Sequence, residues 1–370
     1  MNRKKIIFFT GARSEYGIIK SLLFSLEQEN YFDISLYVSG LHFLEDFGHT
    51  INEIKSDGFK IEREINVFPK EREPNETEFA AIINNVSKLL LIDRPDAFFI
   101  TGDRIESYAA SLGGHFAKIP IIHFGGGNIT NGANDNIYRY NMTNLSDFHL
   151  ATNKNNYKRL KEIKIIDNEN IFFTGSFAID AIVKFKEQAK PINQFVPALF
   201  GRDFCLMTFH SATKSDEKIG EVMDLSISQI INKGIDILIT YPNNDEGYKE
   251  IIKTIKKWEN NKRVHVKNHL GASGYYAALN DAKFVIGNSS SGLIEAPYFN
   301  KVVLNIGSRQ EGRDCDTGVR SIKCSTLEVE KALNDLFISD FDSPINNHLF
   351  GNGNAVKTTN DLLKKIVLWI

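Results

Sequence analysis

Short runs of aliphatic, β-branched and aromatic residues recur along this chain, and each is followed by a longer stretch of helical periodicity. That alternation is the signature of parallel strand–helix units, in which each crossover returns the chain to the same sheet. In the first half, Ile6–Thr10, Asp33–Val38, Ala97–Thr101, Pro120–Phe124, Phe148–Thr152 and Ile171–Thr174 read as strands. Amphipathic segments such as Ile18–Gln28 and Ser107–Ala117 lie between them. The strand runs are continuously apolar rather than alternating, so helices are expected on both faces of the sheet.

The pattern pauses at a polar connector around Gly175 to Arg202, which holds Pro191 and Pro197, and then restarts. Phe204–Phe209, Asp236–Thr240, Val264–Lys267, Phe284–Gly287 and Val302–Asn305 read as a second set of strands, with helices such as Lys218–Asn232 and Ser273–Asn280. At 370 residues the chain exceeds one ordinary core. The expected architecture is therefore α/β, with two Rossmann-like domains divided at 1–180 and 181–370 and a last helix over about 355–369. Glu62–Glu78, rich in charge and holding Pro69 and Pro74, reads as a mobile surface segment.

Composition excludes several classes. Lys+Arg 44 against Asp+Glu 46 leaves a net charge of -2, with no basic surplus for nucleic acid. Cys205, Cys315 and Cys324 are an odd set without C-x-x-C spacing, which argues against a disulfide framework or a thiolate metal site. The apolar run after the basic amino terminus is only Ile6–Phe9, too short for a signal core or a membrane span. A cytoplasmic, membrane-free protein without metal or cofactor is the expectation, with homo-oligomerisation and a small-molecule partner.

In tandem doubly wound domains, ligands bind beyond the carboxyl ends of the strands, so motifs there matter most. Gly11-Ala12-Arg13-Ser14-Glu15-Tyr16-Gly17 follows the first strand and opens a helix, with Arg13 a fork of donors for an anion. It is not the dinucleotide fingerprint, because Ala12, Arg13 and Ser14 fill the space a pyrophosphate would need. Gly102-Asp103-Arg104-Ile105-Glu106 sets an acid beside a base at a strand end; the alternatives are a ligand-facing pair or an N-cap by Asp103 with a surface ion pair. His123-Phe124-Gly125-Gly126-Gly127-Asn128 leads to Asp135 and Arg139, whose spacing of four places them on one helix face. In the second half, Thr208-Phe209-His210-Ser211 and Tyr241-Pro242-Asn243-Asn244-Asp245-Glu246-Gly247 follow strands.

The most specific segment is Gly287-Asn288-Ser289-Ser290-Ser291-Gly292-Leu293-Ile294-Glu295-Ala296-Pro297, followed by Asn305-Ile306-Gly307-Ser308-Arg309-Gln310-Glu311-Gly312-Arg313. Consecutive hydroxyls at a helix start suit a diphosphate, Glu295 one turn into that helix suits a ribose diol, and Arg309 suits the same phosphates.

Together these motifs resemble the hydrolysing nucleotide-sugar 2-epimerases, which convert UDP-N-acetylglucosamine to N-acetylmannosamine and UDP at the start of sialic-acid-type biosynthesis. The resemblance runs along nearly the whole chain and implies a GT-B-like fold, two Rossmann-like domains facing a cleft, with the last helix crossing back to the first domain. It further implies Arg13, His210, Ser289, Ser290, Glu295 and Arg309 as nucleotide ligands. Asp103, Arg104 and Asp135 would then serve the chemistry, with His42, Asn128 and Arg139 near the sugar. Two departures stand out: Asn128 replaces a glutamate held to be catalytic in the family, and Tyr140 replaces a customary histidine. Either Asp103 and Asp135 divide the acid–base work, or His42 or Tyr140 substitutes, or the chemistry has changed. A glycosyltransferase of the same architecture and a nucleotide-sugar-binding homologue without turnover are the competing readings.

Overall fold

A computed structural model describes residues 3–45, 48–67, 75–131, 135–212, 217–242, 247–339, 341 and 349–369. The chain divides into two compact units. The first comprises residues 1–128, 134–181 and 350–370, and the second 129–133 and 182–349.

The first unit is a seven-stranded sheet in the order β3-β2-β1-β4-β5-β6-β7. Its strands are β1 Lys4–Thr10, β2 Phe32–Ser39, β3 Ile61–Ile65, β4 Ala97–Thr101, β5 Ile121–Phe124, β6 Phe148–Ala151 and β7 Ile171–Phe173. Every pairing is parallel. One face packs Ile6, Phe8 and Phe99 against Ile19, Leu22 and Leu23 of helix 13–27, and the other packs Ile7, Phe9 and Phe98 against Val86 and Ala109. Both residue sets of the interior strands β1 and β4 are thus buried, which is why these strands read as unbroken apolar runs. The last helix, Ala355–Trp369, belongs to this unit: Leu363, Ile366 and Val367 join its core. The Asp180 carboxylate accepts hydrogen bonds from the Ala355 and Val356 amides (2.9 and 2.8 Å), satisfying donors that a helix start leaves open.

The second unit is a six-stranded sheet, β10-β9-β8-β11-β12-β13. Its strands, again all parallel, are β8 Phe204–Thr208, β9 Asp236–Thr240, β10 Val264–Lys267, β11 Val285–Gly287, β12 Val303–Ile306 and β13 Val319–Ile322. Both sheets reverse their strand order once, between β1 and β4 and between β8 and β11. Ligands of doubly wound sheets bind at such switch points.

Two strands escape the sequence reading, β3 and β13, and both are edge strands. Their sequences, IEREI and VRSI, carry charge because one side of an edge strand meets solvent. The expectation of a mobile segment at Glu62–Glu78 is corrected accordingly. Its start forms β3, its end enters helix Asn75–Asp93 where Glu78 is 2 % exposed, and 68–74 lie outside the described residues. Among the described residues, no helix is long and apolar enough to cross a membrane.

Candidate functional site

The nominated residues collect at the two switch points, one group in each unit. In the first unit, β1 ends at the buried Thr10, and β4 ends at Gly102, whose φ of 81° is a backbone state that favours glycine. Arg104 stands at the N-cap of helix Ile105–Ala117 without a side-chain capping bond, so the expected capping role of Asp103 is not what the loop adopts. The Arg104 Nε and Nη2 donate to the two carboxylate oxygens of Glu106 at 3.2 and 3.0 Å. Asp103 turns the other way and accepts from Arg139 Nη2.

Arg139 is 1 % exposed, yet its Nη1 also donates to Asn136 Oδ1 (2.7 Å) and to the Asn128 carbonyl (3.0 Å). A buried guanidinium needs such partners, because an uncompensated charge costs several kcal/mol. The face shared by Asp135 and Arg139 is therefore supplemented by a long-range ion pair that spacing could not reveal. Asp135 is half-buried on the first turn of helix Asp135–Leu145. The Asn128 side-chain oxygen accepts from Asn156 Nδ2 at 3.0 Å, and Asn156 Oδ1 in turn accepts from Arg159 Nη1 at 3.1 Å. Asn156 and Arg159 were not nominated from sequence; their signal was position, on the helix Lys154–Lys161 that follows β6.

His42, expected near the sugar, is enclosed in this structure. It is 0 % exposed, its Nε2 meets Thr10 Oγ1 at 2.9 Å, and its Nδ1 meets Thr50 Oγ1 at 2.8 Å. Burial pushes its pKa down to about 4, so the ring is neutral at physiological pH and engaged on both sides. Arg13 lies on the exposed first turn of its helix and pairs with Glu53 at 3.2 Å.

In the second unit the hub is Asn288, immediately after β11 and 0 % exposed. Its side chain clamps the backbone of His210: the His210 amide donates to Oδ1 at 2.7 Å, and Nδ2 donates to the His210 carbonyl at 2.8 Å. The Asn288 carbonyl accepts from Arg309 Nη1 (3.0 Å) and Gln310 Nε2 (2.9 Å). Gly287 permits this closeness, since a Cβ there would stand 1.9 Å from the Thr208 carbonyl oxygen. His210 is 8 % exposed, and burial together with the Arg309 charge lowers its pKa to about 3, leaving a neutral imidazole.

Ser289 caps the helix Ser290–Ile294 by accepting from the Ser291 amide. That helix is only five residues long, and Glu295 is its C-cap rather than a residue one turn inside it. Pro297 ends α-helical geometry here, and the chain continues as a 3-10 turn over Ala296–Phe299. Such a short helix offers little dipole, so anion-holding capacity rests on hydroxyls and Arg309. Ser291 Oγ donates to Glu295, whose pKa burial raises. Burial, then the Glu295 charge, push the Tyr275 phenol up to about 12. The Arg309 loop is pinned from below: Glu217 Oε1 accepts from the Ser308 amide at 2.8 Å. Tyr275 and Glu217 lie outside the motifs, which is why sequence reading passes over them; Gln310 lies inside one but was given no role. Of the Tyr241–Gly247 stretch, Asn243–Glu246 lie outside the described residues. No group of three or more His, Cys, Asp or Glu among the described residues is arranged to hold a metal ion.

Comparison with known proteins speaks to the family and the fold. The sequence matches the family described as UDP-N-acetylglucosamine 2-epimerase over residues 25–364. It is 28 % identical to a UDP-N,N'-diacetylbacillosamine 2-epimerase (hydrolyzing) of Legionella pneumophila, covering 99 % of this chain and 97 % of that one. It is 26 % identical to a GDP/UDP-N,N'-diacetylbacillosamine 2-epimerase (hydrolyzing) of Campylobacter jejuni, covering 85 % and 83 %. In fold, the crystal structure of a UDP-GlcNAc 2-epimerase from Neisseria meningitidis bound to UDP-GlcNAc superposes with a TM-score of 0.80 at 20 % identity, covering 98 % of this chain and 100 % of that chain. The fold is thus the two-unit α/β class described as GT-B-like.

Proposed function

The chain belongs to the UDP-N-acetylglucosamine 2-epimerase family, and on that premise we propose that it hydrolyses a UDP-linked 2-acetamido sugar with inversion at C-2. The products are the free N-acetylmannosamine-type sugar and the nucleoside diphosphate. One observation supports this above others: His210 and Arg309 are drawn to one strand end by a single buried residue, Asn288, whose chain neighbour is Ser289. A cluster of neutral donors with one guanidinium is what a departing diphosphate requires, because fixed donors stabilise developing charge without reorganising.

H-2 of the sugar is not adjacent to a carbonyl. Its removal becomes feasible only as the bond from C-1 to the diphosphate breaks and positive character builds at C-1. Anti elimination would give a 2-acetamidoglycal; water then adds at C-1 while C-2 is reprotonated from the other face. Asp103 and Asp135 take the proton-transfer roles in this reading, and the ion pair to Arg139 fixes the direction of the Asp103 carboxylate. A positioned carboxylate contributes roughly 10²–10⁴-fold to such a step. Ser289, Ser290, Arg309 and His210 hold the nucleoside diphosphate with Arg13, and Glu295 takes the ribose. Asn128, which cannot exchange a proton at neutral pH, contacts the sugar through its amide.

A second reading keeps the reaction and changes the sugar to a 2,4-diacetamido hexose. It is favoured by Asn128, which ends an amide–guanidinium chain through Asn156 and Arg159 where the family glutamate would stand, and by the names of the two relatives. Proton NMR in deuterated water, with UDP-N-acetylglucosamine and a UDP-2,4-diacetamido sugar offered separately and no acceptor present, tests both. Release of the nucleotide with deuterium at C-2 of the free sugar is expected. Turnover only when an acceptor is added would replace the proposal with a glycosyltransferase, and binding without turnover on either substrate would replace it with a binding protein.

A further inference from the structure

Beneath Arg104 lies a pair of buried carboxyls that the proposed chemistry does not use. Glu106 and Glu15 are each 2 % exposed. Glu106 occupies the Nε–Nη2 edge of Arg104, leaving the Nη1 group outside that pair, and the Arg104 side chain is 36 % exposed. Glu15, brought in by the helix that follows β1, accepts from the Gly11 amide at 2.8 Å through Oε2 and from Ser107 Oγ at 2.6 Å through Oε1. The backbone is shaped to admit both acids. A Cβ on Gly11 would stand 2.6 Å from Glu106 Cβ, and one on Gly40 would stand 3.1 Å from Glu106 Cγ and 3.4 Å from Glu78 Oε1.

Two carboxylates against one guanidinium is an unbalanced buried set, and the imbalance is relieved by a proton. Burial, and after it the neighbouring Glu106, push Glu15 up to about 7, against the opposing pull of Arg104, Ser107 and the Gly11 amide. The other ionisable groups around the set come from separate elements: Glu78 from helix Asn75–Asp93, His42 from the turn Gly40–Phe43, and Asp103 from the loop after β4. His42 is neutral across the range concerned, and Asp103 is engaged by Arg139. Glu15 is the acid of the set that burial and Glu106 carry up to about 7.

We infer that Glu15 is a positioning residue which, with Glu106, holds Arg104 from behind and sets the local charge that an anionic ligand of Arg104 meets. The inference rests on the proposed nucleotide-sugar reading for the identity of that ligand; Glu15 is linked to Arg104 through Glu106, which pairs with the guanidinium and borders Gly11 together with Glu15 Oε2. With the proton on Glu15, Arg104 and Glu106 form a balanced pair and the pocket accepts an anion readily. Without it, a second negative charge stands behind the guanidinium and weakens the anion's hold.

Glu15→Gln keeps the shape, with its oxygen accepting from Gly11 and its amide donating to Ser107, while removing the titration. In the wild type, KM for the nucleotide sugar is expected to rise several-fold between pH 6 and 8. Glu15→Gln is expected to keep the low-pH KM throughout, with kcat within about threefold. In parallel, the ¹⁵N-labelled Arg104 Nε–Hε signal of the ligand-free full chain, assigned with Arg104→Lys, is expected to step near pH 7 and to lose that step in Glu15→Gln. Should Glu15→Gln fold poorly, Ser107→Ala removes one bond that favours the ionised acid and moves the step upward. A flat Arg104 signal in the wild type, or a step that survives Glu15→Gln, overturns the inference. If the Arg104 step behaves as expected but no nucleotide sugar turns over, the positioning role stands and the proposed reaction falls.

Discussion

The two strand-end groups solve the problem of burying polar atoms in opposite ways. At the β1–β4–β5 end of the first unit the side chains are ionic: Glu15, Glu106 and Arg104 in one set, Asp103 and Arg139 in another. At the β8–β11–β12 end of the second unit they are mostly neutral, with Asn288, Ser289, Ser291, Thr208, Tyr275 and an uncharged His210 arranged around the single guanidinium of Arg309. Proton transfer needs groups that change charge within the working pH range, and those must be balanced by counter-ions when buried. Holding an anion needs only fixed donors, and neutral ones are cheaper to bury because each requires a hydrogen bond rather than a counter-charge.

The sharpest break of this contrast is Asp103→Asn. Turnover should fall by about 10³-fold, within the range for loss of a general acid or base. Urea unfolding should also show a loss of about 3 kcal/mol, since a guanidinium 1 % exposed loses a carboxylate partner. Near-normal turnover would remove Asp103 from the chemistry.

Acid should then separate the units. His42 and His123 are pushed down to about 4 and His149 to about 3, chiefly by burial; all three lie in the first unit, while the second has His210 at about 3. Each folded pKa lies below the unfolded value of 6.5, so the unfolded chain binds the proton first. The contribution is complete above pH 6.5 and is lost as pH falls, by about 2 kcal/mol per histidine at pH 5. Raised carboxyls act with the opposite sign, gaining stability as pH falls: Glu15 and Asp180 in the first unit and Glu295 in the second. Three histidines against two such acids, with one against one in the second unit, leave the first unit the more acid-labile. Hydrogen exchange between pH 7 and 5, read on peptides from β1 and β8, should show β1 opening first; simultaneous opening would contradict it.

The smallest expected effect tests the neutral group. Arg309→Gln removes the one guanidinium from this cradle and should weaken UDP binding roughly 10- to 100-fold in calorimetry, the range for a hydrogen bond to a charged group. Stability should change little, because Arg309 is half-exposed. Unaltered affinity would place the diphosphate elsewhere.

Legibility followed the physics of each element. The interior strands β1, β4 and β8 were readable because burial on both faces forces unbroken apolar runs, whereas β3 and β13 were hidden by the charges an edge strand carries toward water. Ser289, Arg309 and Asp103 could be nominated because each follows a strand inside a motif. Glu217, Tyr275, Asn156 and Arg159 could not, since each reaches its place from a helix or loop whose local sequence says nothing about what lies beside it. The surroundings of His42 were hidden for the same reason: a histidine in a polar loop looks available until Thr10 and Thr50 close on it.

By itself, the amino-acid sequence determined the alternating strand–helix pattern, the two-sheet architecture and the strand ends that carry the motifs, because these depend on local periodicity and on glycines that the backbone requires. Tertiary structure alone decided which acid faces which base. Asp103 pairs with Arg139 across 36 residues and Glu15 meets Ser107 across 92, and no local rule sets such pairings. They arise where two strands from distant parts of the chain become neighbours at a switch point, and burial there obliges every charge to find its partner.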